Sequence, residues 1–111
     1  MRQQPALSLK RGGSLRLQCQ LRTDGAGVPV TGWQIDCWLR SPQGRQVAAL
    51  MVQHTDSAHG RYQLSAEPAQ TRAWPPGELL ADVRYRDPSG RVMHTCTFTV
   101  LVLDAITTPE P

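Results

Sequence analysis

The chain has 111 residues, enough for one domain with its own core and too few for two, and its Pro and Gly residues are frequent and spaced out. Its formal net charge of +3 comes almost wholly from arginine, Lys10 being the only lysine, and the basic residues are scattered among acids. That pattern gives no basic run or aromatic-interleaved stripe for nucleic acid, and no apolar run reaches the roughly 18 residues of a membrane span.

Met1-Arg2-Gln3-Gln4-Pro5 leads into an alternating segment rather than an apolar signal region, so synthesis and retention in a cytoplasm are expected. Ala6–Lys10 reads as a short strand, and Arg11-Gly12-Gly13 turns it into Ser14–Arg22. There Leu15, Leu17, Cys19 and Leu21 alternate with Arg16, Gln18, Gln20 and Arg22, the period of a half-buried strand. Thr23–Pro29 reads as a flexible, turn-rich connection. In Gln34–Arg40, Ile35, Cys37 and Leu39 fall on the inward parity, Asp36 and Arg40 on the outward one. Trp38 shares the outward parity and is either partly exposed or covered by a neighbour.

Ser41-Pro42-Gln43-Gly44 is a turn, and Arg45–Gln53 follows as a strand whose apolar residues, Val47 to Val52, do not alternate cleanly. Such a run is expected to be covered on both faces or to lie at an interface. His54–Gly60 is a polar loop, Arg61–Ala66 a strand with Tyr62 and Leu64 inward, and Glu67–Ala73 the one helical stretch, capped by Ser65 and ended by Trp74-Pro75-Pro76-Gly77. Glu78–Val102 then reads as two long strands joined at Asp87-Pro88-Ser89-Gly90, a type I turn by its Asp, Pro and Gly positions. Leu79, Ala81, Val83 and Tyr85 share one face of the first strand; His94, Cys96, Phe98, Val100 and Val102 share one face of the second. The pattern predicts a domain over residues 1–103 and a tail, 104–111, that only a partner orders.

About seven short strands with turns at regular spacing and one helical turn specify an all-β antiparallel sandwich, with a small closed barrel as the alternative. Its expected core is Leu15, Leu17, Ile35, Leu39, Leu64, Val83, Phe98 and Val100, with Trp33 and Tyr62 adding aromatic area.

The series Leu9-Lys10-Arg11-Gly12-Gly13-Ser14-Leu15, Pro29-Val30-Thr31-Gly32-Trp33, His59-Gly60-Arg61-Tyr62, Thr71–Gly77 with Ala81-Asp82-Val83, and Ser89–Val92 before Phe98-Thr99-Val100 resembles the small immunoglobulin-like sandwich domains of tailed-bacteriophage structural proteins. It is similar in particular to the N-terminal domains of upper baseplate proteins, although Leu79 and Ala81 stand where aromatics are common in that family. The resemblance implies an immunoglobulin-like fold and a non-enzymatic virion subunit at the baseplate or tail-fibre attachment region, made in the host cytoplasm and packed against other virion proteins in several copies. Capsid decoration or head–tail joining is the alternative, and a carbohydrate-binding module with an exposed Trp38 or Trp74 the second.

The residues add no catalytic constellation and no cofactor motif. Cys19, Cys37 and Cys96 fall on inward parities of separate strands. An immunoglobulin-like reading suggests a disulfide, whereas cytoplasmic synthesis suggests three buried thiols. His94 and Cys96 lack the paired spacing of a structural zinc site. Asp82 is expected in a surface ion pair or bonded to a loop amide, and His54, Asp56 and His59 in a solvated loop. The contact residues expected at an interface are Trp38, Leu50, Met51, Leu101, Asp104 and Ile106.

Overall fold

The structure, a computed structural model, describes residues 6–95 and 97–107; Cys96 and the end of the tail, 108–111, lie outside the described residues. In chain order the strands are β1 (Ala6–Lys10), β2 (Leu15–Gln20), β3 (Arg22–Thr23), β4 (Ala26–Gly27), β5 (Gln34–Arg40), β6 (Gln46–Ala49) and β7 (Met51–Asp56). They continue, after a 3₁₀ turn at Ser57–His59, with β8 (Arg61–Ala66), helix α1 (Pro68–Thr71), β9 (Gly77–Arg86), β10 (Val92–His94) and β11 (Phe98–Leu103). A larger sheet runs β1-β11-β9-β5-β6, with β10 also on β9, and faces a smaller sheet, β2-β8-β7. The chain is an all-β sandwich, as its alternation predicts. No helix among the described residues is long and apolar enough to cross a membrane.

The core forms where inward parities meet. Leu79, Ala81, Val83 and Tyr85 of β9 are buried, flanked by Ile35, Cys37 and Leu39 of β5 and by Val100 and Val102 of β11. Leu15, Tyr62 and Leu64 close the space from the smaller sheet, while Leu17, Trp33 and Phe98 pack on the core half-buried. Each fully enclosed Leu or Val contributes about 1.5–3 kcal/mol relative to exposure. The Tyr62 and Tyr85 hydroxyls bond to each other across the sandwich, one ring edge-on to the other at 81° and 5.9 Å between centroids.

Four segments differ from the sequence expectation, each for a local reason. Arg45–Gln53 is not one strand: β6 pairs with β5 in the larger sheet, β7 pairs with β8 in the smaller, and Leu50 is the crossing point, its N–H donating to the Cys37 carbonyl at 2.9 Å. A strand that changes sheets presents inward residues without keeping one parity. The apolar run therefore needs no partner to explain it. Leu50 is a core residue at 6 % exposure, not a surface anchor.

The strand after Asp87–Gly90 is also interrupted. His94 pairs with Arg84 but Phe98 pairs with Ala81, so the register on β9 shifts by one residue between β10 and β11. The shift is fastened by Thr95 N–H to Val83 O and by Val83 N–H to Thr95 Oγ1, both at 2.9 Å. One extra residue inverts the face on which later side chains emerge. His94 consequently lies on the outer face, opposite to Phe98, Val100 and Val102, rather than with them.

Thr23–Pro29 contains the ribbon β3–β4, turned by Asp24 and Gly25 with φ of 52° and 79°, which is the pattern of a type I′ hairpin. Behind it Gly60 adopts φ 75°, and a Cβ there would stand 2.5 Å from Val28 O and 2.7 Å from Leu21 O. Only glycine lets the loop close against that ribbon. The helix covers Pro68–Thr71 alone. Its N-cap is Glu67, whose N–H donates to Gln70 Oε1 at 2.8 Å, whereas Ser65 is buried in β8.

Candidate functional site on the outer face of the larger sheet

Strand alternation that buries Ile35, Cys37 and Leu39 necessarily turns Asp36, Trp38 and Arg40 outward, and the same rule turns Leu80, Asp82 and Arg84 outward from β9. The register then sets Asp36 beside Arg84, Trp38 beside Asp82 and Arg40 beside Leu80. With His94, supplied by β10, these side chains line a groove of ≈ 510 Å³ whose rim includes Pro42 and Gly44 on one side and Thr97 on the other.

Each carboxylate in the groove has a nitrogen partner. Arg84 Nη1 stands 3.6 Å from Asp36 Oδ2, which also accepts from Gln34 Nε2 at 3.1 Å. His94 Nδ1 stands 3.2 Å from Asp82 Oδ2. Arg40 lies 5.6 Å over the Trp38 ring centroid while its Nη1 donates to Gly44 O at 3.0 Å, so one side chain fixes both the indole and the turn. Trp38 nevertheless keeps 45 % of its surface exposed.

Next to the groove, β11 turns Leu101 and Leu103 outward, 39 % and 40 % exposed. Trp38 and Leu101 thus share one sheet face, and Leu103, absent from the sequence expectation, joins them. Met51, 60 % exposed, sits on the outer face of the other sheet, and Ile106, 91 % exposed, lies beyond the last strand. Asp104 is tied to the domain: Arg11 Nη1 donates to its Oδ1 at 2.9 Å, Nη2 donates to Arg72 O at 2.9 Å, and the Arg11 N–H bonds Leu103 O at 2.8 Å. Leu80 and the Asp36–Arg84 pair were visible as outward parity in the sequence, but their convergence depends on the β5–β9 register. His94 depends on a register shift that no parity rule contains.

The histidines of the segment before Arg61 are hydrogen-bonded within it. His59 Nδ1 lies 2.9 Å from Asp56 Oδ2 and His54 Nδ1 2.9 Å from Ser57 Oγ, across the end of β7 and the 3₁₀ turn that follows it. Among the described residues no group of three or more His, Cys, Asp or Glu side chains is placed to hold a metal ion. Cys19 and Cys37 are free thiols. Burial pushes Cys37 up to about 12, with Cys19 and Asp82 adding to the effect; burial also raises Cys19, partly offset by a hydrogen bond with Tyr62. Both stay protonated and poorly nucleophilic at neutral pH.

No protein-family model matches this chain, and no curated protein matches it. Among solved structures it is similar to the N-terminal domain of phage TP901-1 ORF48, with a TM-score of 0.61 and 18% identity over 88% of this chain and 84% of that one. It is also similar to CopC from Methylosinus trichosporium OB3b, with a TM-score of 0.56 and 9% identity over 96% of this chain and 90% of that one. At these identities the likeness is one of fold.

Proposed function

We propose that the chain is a non-enzymatic structural subunit of a tailed-phage virion or prophage-derived tail-like particle, present in several copies at the baseplate or tail-fibre attachment region. The observation that carries the reading is the outer face of the larger sheet, where Leu101 and Leu103 stand exposed on the same face as Trp38, in a domain whose sequence elements resemble those of phage structural domains and whose fold is similar to a phage protein's N-terminal domain. Exposed apolar side chains grouped on one rigid face suit protein–protein contact. An immunoglobulin-like sandwich, the finer fold reading, is supported by β1 running parallel to the last strand, β11, at the edge of the larger sheet.

In this reading the strip of Leu101 and Leu103, continued by Ile106, docks on another virion protein, and the Arg11–Asp104 pair holds the start of the tail in line with it. A stable contact needs about 1,000 Å² or more, so the strip would be its centre rather than its whole extent. The test is co-sedimentation of the tagged chain with purified particles on a density gradient, followed by location of the tag by electron microscopy. Tag density at the distal end of the tail is expected. Density over the capsid or at the head–tail joint would move the subunit there, and absence from particles would overturn the reading.

A further inference from the structure

We infer that the groove between β5, β9 and β10 is a binding site for a neutral oligosaccharide, separate from the apolar strip on β11. The inference goes beyond the structural role and does not depend on it, since a site of this kind works in the isolated chain.

Size comes first. A groove of ≈ 510 Å³ lies within the range of about 300–1,000 Å³ typical of small-molecule clefts. Its floor is an indole. Of the tryptophans, Trp74 is enclosed at 3 % exposure and Trp33 is half-buried against the core, whereas Trp38 is 45 % exposed and lines the groove. Arg40 lies over one face of the indole, so a pyranose ring would lay its C–H-bearing face on the other, and ordering that flat surface costs little because few torsions are lost.

Charge decides the ligand class. Two carboxylates, Asp36 and Asp82, face Arg84, Arg40 and His94, and they are already matched as the Asp36–Arg84 and Asp82–His94 pairs. An anionic polymer would find Arg84 and His94 already beside carboxylates and Arg40 turned to Gly44 O and the indole, and a cationic peptide would find both carboxylates partnered. Sugar hydroxyls both donate and accept, so they can bond to carboxylate and guanidinium together without unbalancing either pair. The lining is also fixed before any ligand arrives. Arg40 is held by Gly44 O and the indole, Asp36 by Gln34 and Arg84, and all of them stand on paired strands. The β9–β10 register completes the arrangement by setting His94 beside Arg84 and within reach of Asp82.

The experiment is titration of the ¹⁵N-labelled full chain with neutral trisaccharides of glucose, galactose, mannose and N-acetylglucosamine at millimolar concentration, read as NMR shifts. At least one is expected to move the Trp38 Nε1–H resonance and the amides of Asp36–Arg40 and Asp82–Arg84 saturably. Trp38→Ala should weaken that binding by about tenfold or more, Asp82→Asn by a smaller factor, and Gln18→Ala, on the other sheet, not at all. Both groove positions are on the surface, and the dispersion of each spectrum reports whether the variant is folded. The proposal is overturned if none of the sugars gives a saturable shift or if Trp38→Ala and Asp82→Asn bind as the parent does. Tighter binding of a sulfated oligosaccharide at the same residues would also overturn it, since charge would then be the driving force. Loss of sugar binding leaves particle incorporation untouched, so failure here is distinguishable from failure of the structural reading.

Discussion

The smaller sheet turns Arg16, Gln18, Gln53, Arg61 and Gln63 toward solvent, with Met51 the one large apolar side chain among them, and Gln18 Nε2 bonds to Gln63 Oε1 at 2.7 Å. The larger sheet turns out Trp38, Leu80, Leu101 and Leu103 beside its paired charges. Both sheets turn inward the same kinds of side chain, Leu, Val, Tyr and Cys. Stability alone therefore does not account for the difference, because an outward Leu is no better for folding than an outward Gln. In the proposed reading, the contrast assigns contact chemistry to one side of the sandwich.

If the inner faces are equivalent, Leu39→Ala in β5 and Leu64→Ala in β8 should each cost about 2–5 kcal/mol in chemical denaturation, since both side chains are essentially inaccessible. A loss confined to one of them would show that the sheets are not packed as one core. The joint between the sheets can be probed next. Tyr62→Phe or Tyr85→Phe strands a buried hydroxyl and should cost about 1–3 kcal/mol, while the double variant should cost less than the sum, because it leaves no unpaired group. Additive costs would mean that the hydroxyls do not depend on each other.

The thiols sharpen the comparison further. Cys37, on the larger sheet, is 1 % exposed and its protonated form is favoured by folding, from an ordinary 9.0 to about 12. Its contribution is complete below pH 9 and is lost as pH rises toward about 12, at up to ~1.4 kcal/mol per pH unit, because only the unfolded chain ionises in that window. Cys37→Val should flatten the alkaline stability slope measured by denaturant titration. Cys19→Val, at a half-buried site, should flatten it less. Tyr62 and Tyr85, both raised by burial, keep a residual slope in either variant.

Much of this was legible in the sequence wherever a strand ran uninterrupted. The alternation in Leu79–Tyr85 and in Ile35–Leu39 gives the inner face directly. The Asp87 turn closes as its residue types require, Gly90 N–H bonding Asp87 O at 3.0 Å and Asp87 Oδ1 accepting from Ser89 and Arg91, contacts that hold its carboxyl below the usual range. The features that escaped are those that break periodicity. The change of sheet at Leu50 and the register shift between β10 and β11 each shift a face by one residue, and a rule of period two has no means to register that. Asp24-Gly25 was a hairpin signal in plain sight, obscured by a surrounding run of small residues that also suits a loose loop. The groove inherits this division: Trp38 and Asp82 follow from parity, whereas their pairing and the arrival of His94 follow from register.

The contrast between the two outer faces is tested most directly by incorporating two double variants into particles side by side, each first checked for an unchanged thermal melt. Leu101→Glu with Leu103→Glu places charge on the outer face of the larger sheet, and Gln18→Glu with Gln53→Glu places the same charge on the smaller. Occupancy, measured by quantitative mass spectrometry of purified particles, should fall about tenfold or more for the first and match the parent for the second, a difference of ~1.4 kcal/mol in binding or greater. Equal occupancy of the two, or a selective loss with the second, would contradict the assignment of the docking face to the larger sheet.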